Sequence, residues 1–183
     1  GRFLAPTFDR LVLTAPMLAF ADEKVGYPHA VARAYAETFC KLGLGSTYVL
    51  GGKRMPVEMG AFEGNDLTSD AERWDRTRAV LEAAPDLGLG APTISWLRSG
   101  YRACAEIAAP GFAGAVRVPV LMLAAGQDRI VSTRAIEELG VKLKIGSHLL
   151  LPGALHEILQ EADPIRQRFW AAFDAYLGEA VAA

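Results

Sequence analysis

The second half of the chain alternates strand-like and helix-like segments, and this pattern restricts the fold more than any other feature of the sequence. Residues 116–125 and 147–151 are short apolar runs of the length that buried strands have. Between them lies a helix pattern that begins after Ser132 and is expected to end at Gly140. Asp163, which a proline follows, is a typical N-cap of a final helix. Alternating strands and helices predict an α/β protein with a parallel sheet.

The first part of the chain predicts one more strand and then a long insertion. Residues 11–15 form an apolar run that a proline stops, as in a short buried strand. Helix patterns cover residues 27–42, 70–84 and 93–109. The glycine-rich stretch 43–68 is expected to be the most mobile part of the chain. The sequence therefore predicts a core of residues 1–17 and 115–183 that an inserted unit, residues 18–114, interrupts.

Composition and charge exclude several classes of protein. With 183 residues, 51% of them hydrophobic and 22% charged, the chain can bury a core without disulfide or metal support. Its net charge of −2 and its lack of a basic cluster argue against nucleic-acid binding. No apolar run is long enough to span a bilayer, and the first residues do not resemble a secretory signal peptide. These features predict a cytoplasmic protein.

The sequence contains no pattern for a metal, a disulfide or a nucleotide cofactor. Cys40 and Cys104 are its two cysteines, and they lack metal-ligand spacing. We expect both to be partly buried free thiols. No glycine-rich phosphate loop follows a predicted strand. We therefore predict that the protein uses no metal and no cofactor.

Two side chains with acid–base chemistry follow two of the predicted strands. Asp128 comes just after the run that ends at Ala125, and His156 comes shortly after the run that ends at Leu151. Parallel strands carry their carboxyl ends to one edge of a sheet, where ligands bind in α/β proteins. The spacing predicts that Asp128 lies within or near hydrogen-bond distance of His156 and orients it as a general base. The alternative is a turn-forming aspartate and an unrelated surface histidine.

Large apolar side chains of the inserted unit allow two interpretations. They form the small core of this unit, or some of them line an apolar substrate pocket. They are Met55, Met59, Trp74, Trp96 and Tyr101. Trp96 and Tyr101, together with Met17 just after the first predicted strand, are our candidate substrate-binding residues.

Four stretches of the sequence carry a family resemblance: residues 8–17, 92–97, 118–128 and 152–161. Together they resemble α/β-hydrolases of the lysophospholipase and monoacylglycerol lipase type. The first and third are similar to the sixth and seventh strands of that family, with the triad acid at the end of the seventh. The last is similar to its catalytic-histidine loop, and residues 92–97 to the start of a cap helix in the bacterial lysophospholipase branch. The resemblance covers essentially the whole chain.

The resemblance implies the C-terminal part of an α/β-hydrolase fold, with parallel strands six to eight and residues 18–114 as a helical cap. It implies a serine ester hydrolase in which Asp128 is the acid and His156 the base, acting on a lysophospholipid or a monoacylglycerol. Family members carry a G-x-S-x-G motif around the nucleophilic serine, and this sequence has none. We therefore expect that the serine lies upstream of residue 1, that the N-terminal part of the same fold is a required partner, and that these residues alone are inactive.

Other interpretations remain open at this stage. Some α/β-hydrolases, such as dehalogenases and epoxide hydrolases, use an aspartate nucleophile. A chain without a nucleophile could instead be a non-catalytic binding module, or an unrelated α/β domain that matches by chance. The presence of both Asp128 and His156 favours an enzyme, because binding does not need that pair. Arginine is more frequent than lysine, which is typical of a GC-rich bacterial source. For the location, the alternative to a purely cytoplasmic protein is one in peripheral contact with the inner membrane.

Overall fold

A three-stranded parallel sheet lies at the centre of the computed structural model, which describes residues 8–178. The strands are β1 (Leu11–Thr14), β2 (Val120–Ala125) and β3 (Gly146–Leu151), in the spatial order β1-β2-β3. Leu13 pairs with Met122, and Met122 pairs with His148. The predicted parallel sheet is confirmed. Residues 1–7 and 179–183 of the predicted core lie outside the described residues.

Seven α-helices occur within residues 8–178. They are α1 (Asp22–Val25), α2 (His29–Lys41), α3 (Ala71–Ala83), α4 (Ile94–Ala108), α5 (Phe112–Ala115), α6 (Thr133–Lys142) and α7 (Asp163–Leu177). Three short 3₁₀ helices lie at Val57–Met59, Pro85–Leu87 and Ile158–Gln160. The three helices predicted in the inserted unit are present as α2, α3 and α4, with ends that differ from the prediction by one or two residues. Asp163 is the first residue of α7 rather than its N-cap.

The sheet and two helices form the hydrophobic core. Every residue of β2 is buried, since β1 and β3 flank it in the sheet and α6 packs on β2 and β3. Ile136 of α6 and Leu123 of β2 are fully buried, and Phe169 of α7 belongs to the same cluster. Burial of each such large side chain contributes about 1.5–3 kcal/mol. The core therefore fixes the carboxyl ends of β2 and β3.

Helix α6 continues beyond Gly140, where the sequence pattern predicts its end. This prediction is wrong because Gly140 serves close packing and not a left-handed turn. A Cβ added at Gly140 would lie 3.0 Å from Cβ and 2.8 Å from Cγ of His148 on β3. The glycine thus lets the helix approach the strand.

The N-cap residue of α3 differs from the one that the sequence pattern indicates. Ser69 and Glu72 have the spacing of a capping box, which would make Ser69 the N-cap. In the structure Asp70 is the N-cap, and its Oδ1 accepts a hydrogen bond of 2.9 Å from the amide of Arg73. Ser69 instead donates to the buried carboxylate of Glu161. The entry to α3 is thereby tied to the loop that follows β3.

The chain between β1 and β2 holds α1 to α5. Helix α2 packs on α4, and Glu37 of α2 accepts hydrogen bonds of 3.0 Å from Arg98 and Arg102 of α4. The glycine-rich stretch 43–68 contains one 3₁₀ helix and ends in a turn, where Oδ1 of Asn65 accepts from the amides two and three residues later. The mobility of this stretch and the division into a core and an inserted unit stay predictions.

The structure also shows whether the described residues include a membrane-spanning helix, a cluster of metal ligands or a disulfide. Within residues 8–178, no helix combines the length and the apolar character that crossing a membrane requires. The same part of the chain contains no group of three or more His, Cys, Asp or Glu side chains that could hold a metal ion. Cys40 is half-buried and Cys104 is buried, and both are free thiols, as predicted.

Candidate active site

The loops after β2 and β3 are joined at the carboxyl end of the sheet. The amide of Gly126 donates a hydrogen bond of 2.9 Å to the carbonyl of Leu151. The amide of Gln127 donates one of 2.8 Å to the carbonyl of Ala154. A Cβ at Gly126 would lie 3.0 Å from the Leu151 carbonyl oxygen, so glycine permits this close approach. These contacts bring the loops of the predicted acid and the predicted base side by side.

Asp128 and His156 form a hydrogen-bonded pair, as the sequence predicts. Nδ1 of His156 lies 2.9 Å from Oδ2 of Asp128. The other carboxylate oxygen, Oδ1, accepts hydrogen bonds of 2.8 and 3.0 Å from the amides of Ile130 and Val131. The Asp128 side chain is fully buried, whereas 25% of the His156 side chain is exposed. The carboxylate is therefore fixed in place, and part of the imidazole stays accessible to a reactant.

This geometry suits an orienting acid and a general base. Burial alone raises the pKa of Asp128, but the hydrogen bonds from His156 and from the amides of Val131 and Ile130 outweigh it and hold the pKa below its usual value. Asp128 is therefore ionised at neutral pH. An ionised carboxylate only accepts hydrogen bonds, so Nδ1 of His156 carries the proton and donates. Nε2 of the neutral imidazole can then take a proton from a hydroxyl.

The loop that carries His156 also contacts the chain before α3. The amide of His156 donates a hydrogen bond of 3.3 Å to the carbonyl of Asp66. The amide of Glu157 donates one of 2.8 Å to the carbonyl of Leu67. The pKa of Glu157 is raised. Burial is the largest cause, the charge of Glu58 adds to it, and the electrostatic interaction with His156 acts in the opposite direction. The surroundings of the candidate base thus depend on residues far away in the sequence, which no sequence pattern indicates.

The three candidate substrate-binding residues meet around Phe20. The ring centroid of Phe20 lies 4.7 Å from that of Tyr101 and 6.1 Å from that of Trp96. A Cβ at Gly100 would lie 2.8 Å from the Phe20 ring and 3.4 Å from the terminal methyl of Met17, so the glycine makes room for both. Phe20 is buried, whereas Trp96 is 48% exposed. We call Met17, Phe20, Trp96 and Tyr101 the Phe20 cluster.

The Phe20 cluster adjoins the loop that holds Asp128. Phe20 pairs with Val131 in an antiparallel bridge. Backbone hydrogen bonds of 2.9 and 3.1 Å join its neighbours Ala19 and Ala21 to the same loop. Val131 is one of the two residues whose amides hold the carboxylate. The apolar cluster and the candidate acid are therefore parts of one contiguous assembly. Phe20 could not be singled out from the sequence, because a single phenylalanine in a loop belongs to no pattern.

The other large apolar side chains of the inserted unit have different surroundings. Trp74 is buried and packs edge-on against Phe62, with a distance of 6.0 Å between the ring centroids. Met55 is exposed, and Met59 is half-buried. The interpretation as a small core therefore fits Trp74 and does not fit Met55.

The sequence profile of the family described as serine aminopeptidase, S33, matches residues 4–163. The chain belongs to this family of α/β-hydrolases. A relative in sequence is the lysophospholipase L2 of Escherichia coli strain K12, which is 30% identical over 165 residues, 86% of this chain and 47% of that protein. The probable lysophospholipase L2 of Haemophilus influenzae is 26% identical over 136 residues, 74% of this chain and 42% of that protein.

Solved structures of α/β-hydrolases have the same fold. A soluble variant of monoglyceride lipase from Saccharomyces cerevisiae, in complex with a substrate analog, superposes with a TM-score of 0.68 at 15% identity, over 94% of this chain and 53% of that one. The predicted fold and the predicted family resemblance are confirmed. The chain spans about half the length of the curated relatives it matches.

Proposed function

We propose that this chain supplies the acid, Asp128, and the base, His156, of a serine ester hydrolase. The hydrogen bond of 2.9 Å between Nδ1 of His156 and Oδ2 of Asp128 carries the proposal, because it leaves Nε2 as the proton acceptor. Membership of a serine hydrolase family supports it. The nucleophilic serine lies in a preceding part of the same protein, since no serine of this sequence stands in a G-x-S-x-G motif.

Ester hydrolysis by this pair proceeds through proton transfers at His156. Nε2 removes the proton of the serine hydroxyl as its oxygen attacks the ester carbonyl, and the same nitrogen then gives the proton to the leaving alcohol. Water next attacks the acyl-enzyme with Nε2 again as base. The bond between the acyl carbon and the serine oxygen breaks, Nε2 returns the proton to that oxygen, and the fatty acid leaves. Throughout, Asp128 holds the Nδ1–H group and stabilises the imidazolium. A carboxylate already fixed by two amides does this without reorganisation.

A lysophospholipid is the substrate class that the relatives favour. The two sequence relatives described above are named lysophospholipase L2 and probable lysophospholipase L2, whereas the monoglyceride lipase is similar in fold alone. We assign Met17, Trp96 and Tyr101 to contact with the acyl chain, because part of the Phe20 cluster is exposed next to the loop of the acid. We assign residues 18–114 to a cap over the site. A monoacylglycerol shares the ester bond and the acyl chain, and it serves as the comparison substrate.

Variants of the acid and the base in the complete protein test this function. Asp128→Asn keeps the shape but removes the charge, so it should lower kcat by about 10⁴-fold, as in other Ser-His-Asp triads. His156→Ala removes the proton acceptor and should lower kcat at least as much. The measurement is fatty-acid release from lysophosphatidylcholine and from a monoacylglycerol.

Two matched controls accompany these variants. Asp174→Asn changes an exposed carboxylate of α7, and His148→Ala changes a histidine that packs on α6. Both should keep the wild-type kcat. Wild-type turnover in Asp128→Asn or His156→Ala would refute the proposed roles.

A further inference from the structure

Glu161, between the third 3₁₀ helix and α7, is a fully buried carboxylate that the mechanism above does not use. Its Oε1 accepts a hydrogen bond of 2.6 Å from the amide of Leu155. Its Oε2 accepts from the amide of Ser69 at 3.2 Å and from the hydroxyl of the same residue. Oε2 also lies 3.3 Å from the amide of Ala162, which donates to it. A group that faces only donors acts as an acceptor on both oxygens, as an ionised carboxylate does.

The donors to Glu161 belong to three different parts of the fold. Leu155 directly precedes the candidate base His156. Ser69 directly precedes the N-cap of α3, and Ala162 directly precedes α7. A buried carboxylate is costly unless hydrogen bonds compensate for its lost hydration. Glu161 therefore keeps these three backbone segments at fixed distances from one another.

Two more hydrogen bonds run beside Glu161 and join the same segments. The hydroxyl of Thr68 donates one of 2.7 Å to the carbonyl of Gln160. The amide of Glu157 donates one of 2.8 Å to the carbonyl of Leu67. The loop 155–161 is thus attached to the chain before α3 along most of its length.

We propose that Glu161 is a positioning residue for His156. By accepting from the amide of Leu155, it fixes the backbone next to the base and so keeps Nδ1 at 2.9 Å from Oδ2 of Asp128. Through Ser69 it also sets where the chain before α3 lies relative to the base. The inference rests on the proposed function, because positioning affects turnover only if His156 is the base.

Glu161→Gln is the sharpest variant, because it keeps the shape while it removes the negative charge and one of the two acceptor oxygens. An amide has one acceptor oxygen, and its NH₂ group would face an N–H donor in place of the second oxygen. Whichever way the amide is oriented, either Leu155 or the pair Ser69 and Ala162 loses its acceptor. Misplacement of a catalytic group by about 1 Å costs about 10²-fold in rate. We expect kcat to fall by about 10- to 100-fold while KM changes by less than about twofold.

The experiment measures kcat, KM and the pH profile of kcat/KM for lysophosphatidylcholine with the complete protein. Active sites are titrated with a fluorophosphonate, so that a smaller amount of folded enzyme does not lower the kcat obtained. A looser bond to Asp128 stabilises the imidazolium less, so the acid limb of the profile should move to lower pH in Glu161→Gln. Glu138→Gln, at an exposed position of α6, is the matched control and should give wild-type values.

The outcomes separate this inference from the proposed function. If Asp128→Asn loses activity and Glu161→Gln keeps the wild-type kcat and pH profile, the positioning role alone is overturned. If both keep full activity, the proposed function falls and this inference falls with it.

A second variant covers the case in which Glu161→Gln does not fold. Glu161→Asp keeps the charge but draws the carboxylate back by one methylene, so it cannot keep its hydrogen bonds to Leu155 and to Ser69 at the same time. A fall in kcat of about threefold with unchanged KM would support the role. Unchanged kcat and an unchanged pH profile would overturn it.

Discussion

At the scale of single residues, Asp128 combines full burial with three hydrogen bonds to its carboxylate. Burial favours the neutral acid, whereas the ring of His156 and two backbone amides favour the ionised form. The hydrogen bonds prevail, and the pKa of Asp128 lies below its usual value. The candidate acid therefore keeps its charge in a place that water does not reach, which is what an orienting acid needs.

The lowered pKa of Asp128 predicts how the stability of the protein depends on pH. A carboxyl group whose pKa is lower in the folded state stabilises the fold above its unfolded pKa, about 3.9. This contribution is lost as the pH falls through the folded pKa. The difference in free energy of unfolding between the wild type and Asp128→Asn should thus be largest above about pH 5 and shrink below about pH 4.

Urea denaturation of both proteins across this range checks the prediction. The difference between the two proteins is the relevant quantity, because other carboxyl groups, such as Asp163 beside Arg73, also have a lowered pKa and affect both proteins alike. A difference that stays constant from about pH 7 to about pH 3 would contradict the ionised, hydrogen-bonded Asp128 described here.

The acid–base pair could be predicted from the sequence, whereas the residues that support it could not. Asp128 and His156 each follow an apolar run, and parallel pairing brings the ends of such runs together. Phe20 and Glu161 stand in no periodic pattern. Their surroundings arise from contacts with residues about 80 to 90 positions away, such as Tyr101 and Ser69, and local sequence does not encode such contacts.

At the scale of secondary-structure elements, α6 connects β2 to β3 and packs on both strands. It therefore contributes to the spacing of the two strand ends from which the site loops extend. The capping residue Ser132 was enough to predict where α6 begins, because its hydroxyl oxygen accepts a hydrogen bond from the amide of Ala135. Its C-terminal end could not be predicted, since Gly140 is placed by its contact with His148 and not by a cap.

The close contact between α6 and β3 predicts the effect of adding one methyl group. Gly140→Ala gains about 1 kcal/mol of helix propensity, but overpacking against Cβ and the ring of His148 costs about 1–3 kcal/mol. We expect a net loss of about 1 kcal/mol in the free energy of unfolding. Gly114→Ala in α5 is the matched control, because a Cβ there would meet nothing within 4 Å.

Chemical denaturation of the two variants tests this packing. Gly114→Ala should leave the free energy of unfolding unchanged or raise it by up to about 1 kcal/mol. If Gly140→Ala is as stable as Gly114→Ala or more so, α6 does not approach β3 as closely as the structure describes.

At the scale of the whole molecule, the described sheet has an open edge at β1. Among residues 8–178, β1 pairs with β2 alone, and Leu13 on β1 is partly exposed. An open strand edge with apolar side chains favours pairing with another strand. This supports the proposal that a preceding part of the protein supplies the serine.

More of the fold than of the chemistry could be predicted from the sequence. Alternating strands and helices indicated the parallel sheet, and the motifs around Asp128 and His156 indicated the family that the comparisons confirm. The identity of the nucleophile could not be read from these residues, because no G-x-S-x-G motif occurs among them. The central claim is therefore that His156 activates a serine outside this sequence.

Labelling of the complete protein with a fluorophosphonate tests that claim most directly. The reagent phosphonylates an activated serine, and mass spectrometry of the digested protein locates the adduct. We expect one adduct, on a serine outside residues 1–183, and labelling that is slower by about 10²-fold or more in His156→Ala. An adduct on a serine of this chain, equal labelling rates in the two proteins, or an active enzyme that the reagent does not label would contradict it.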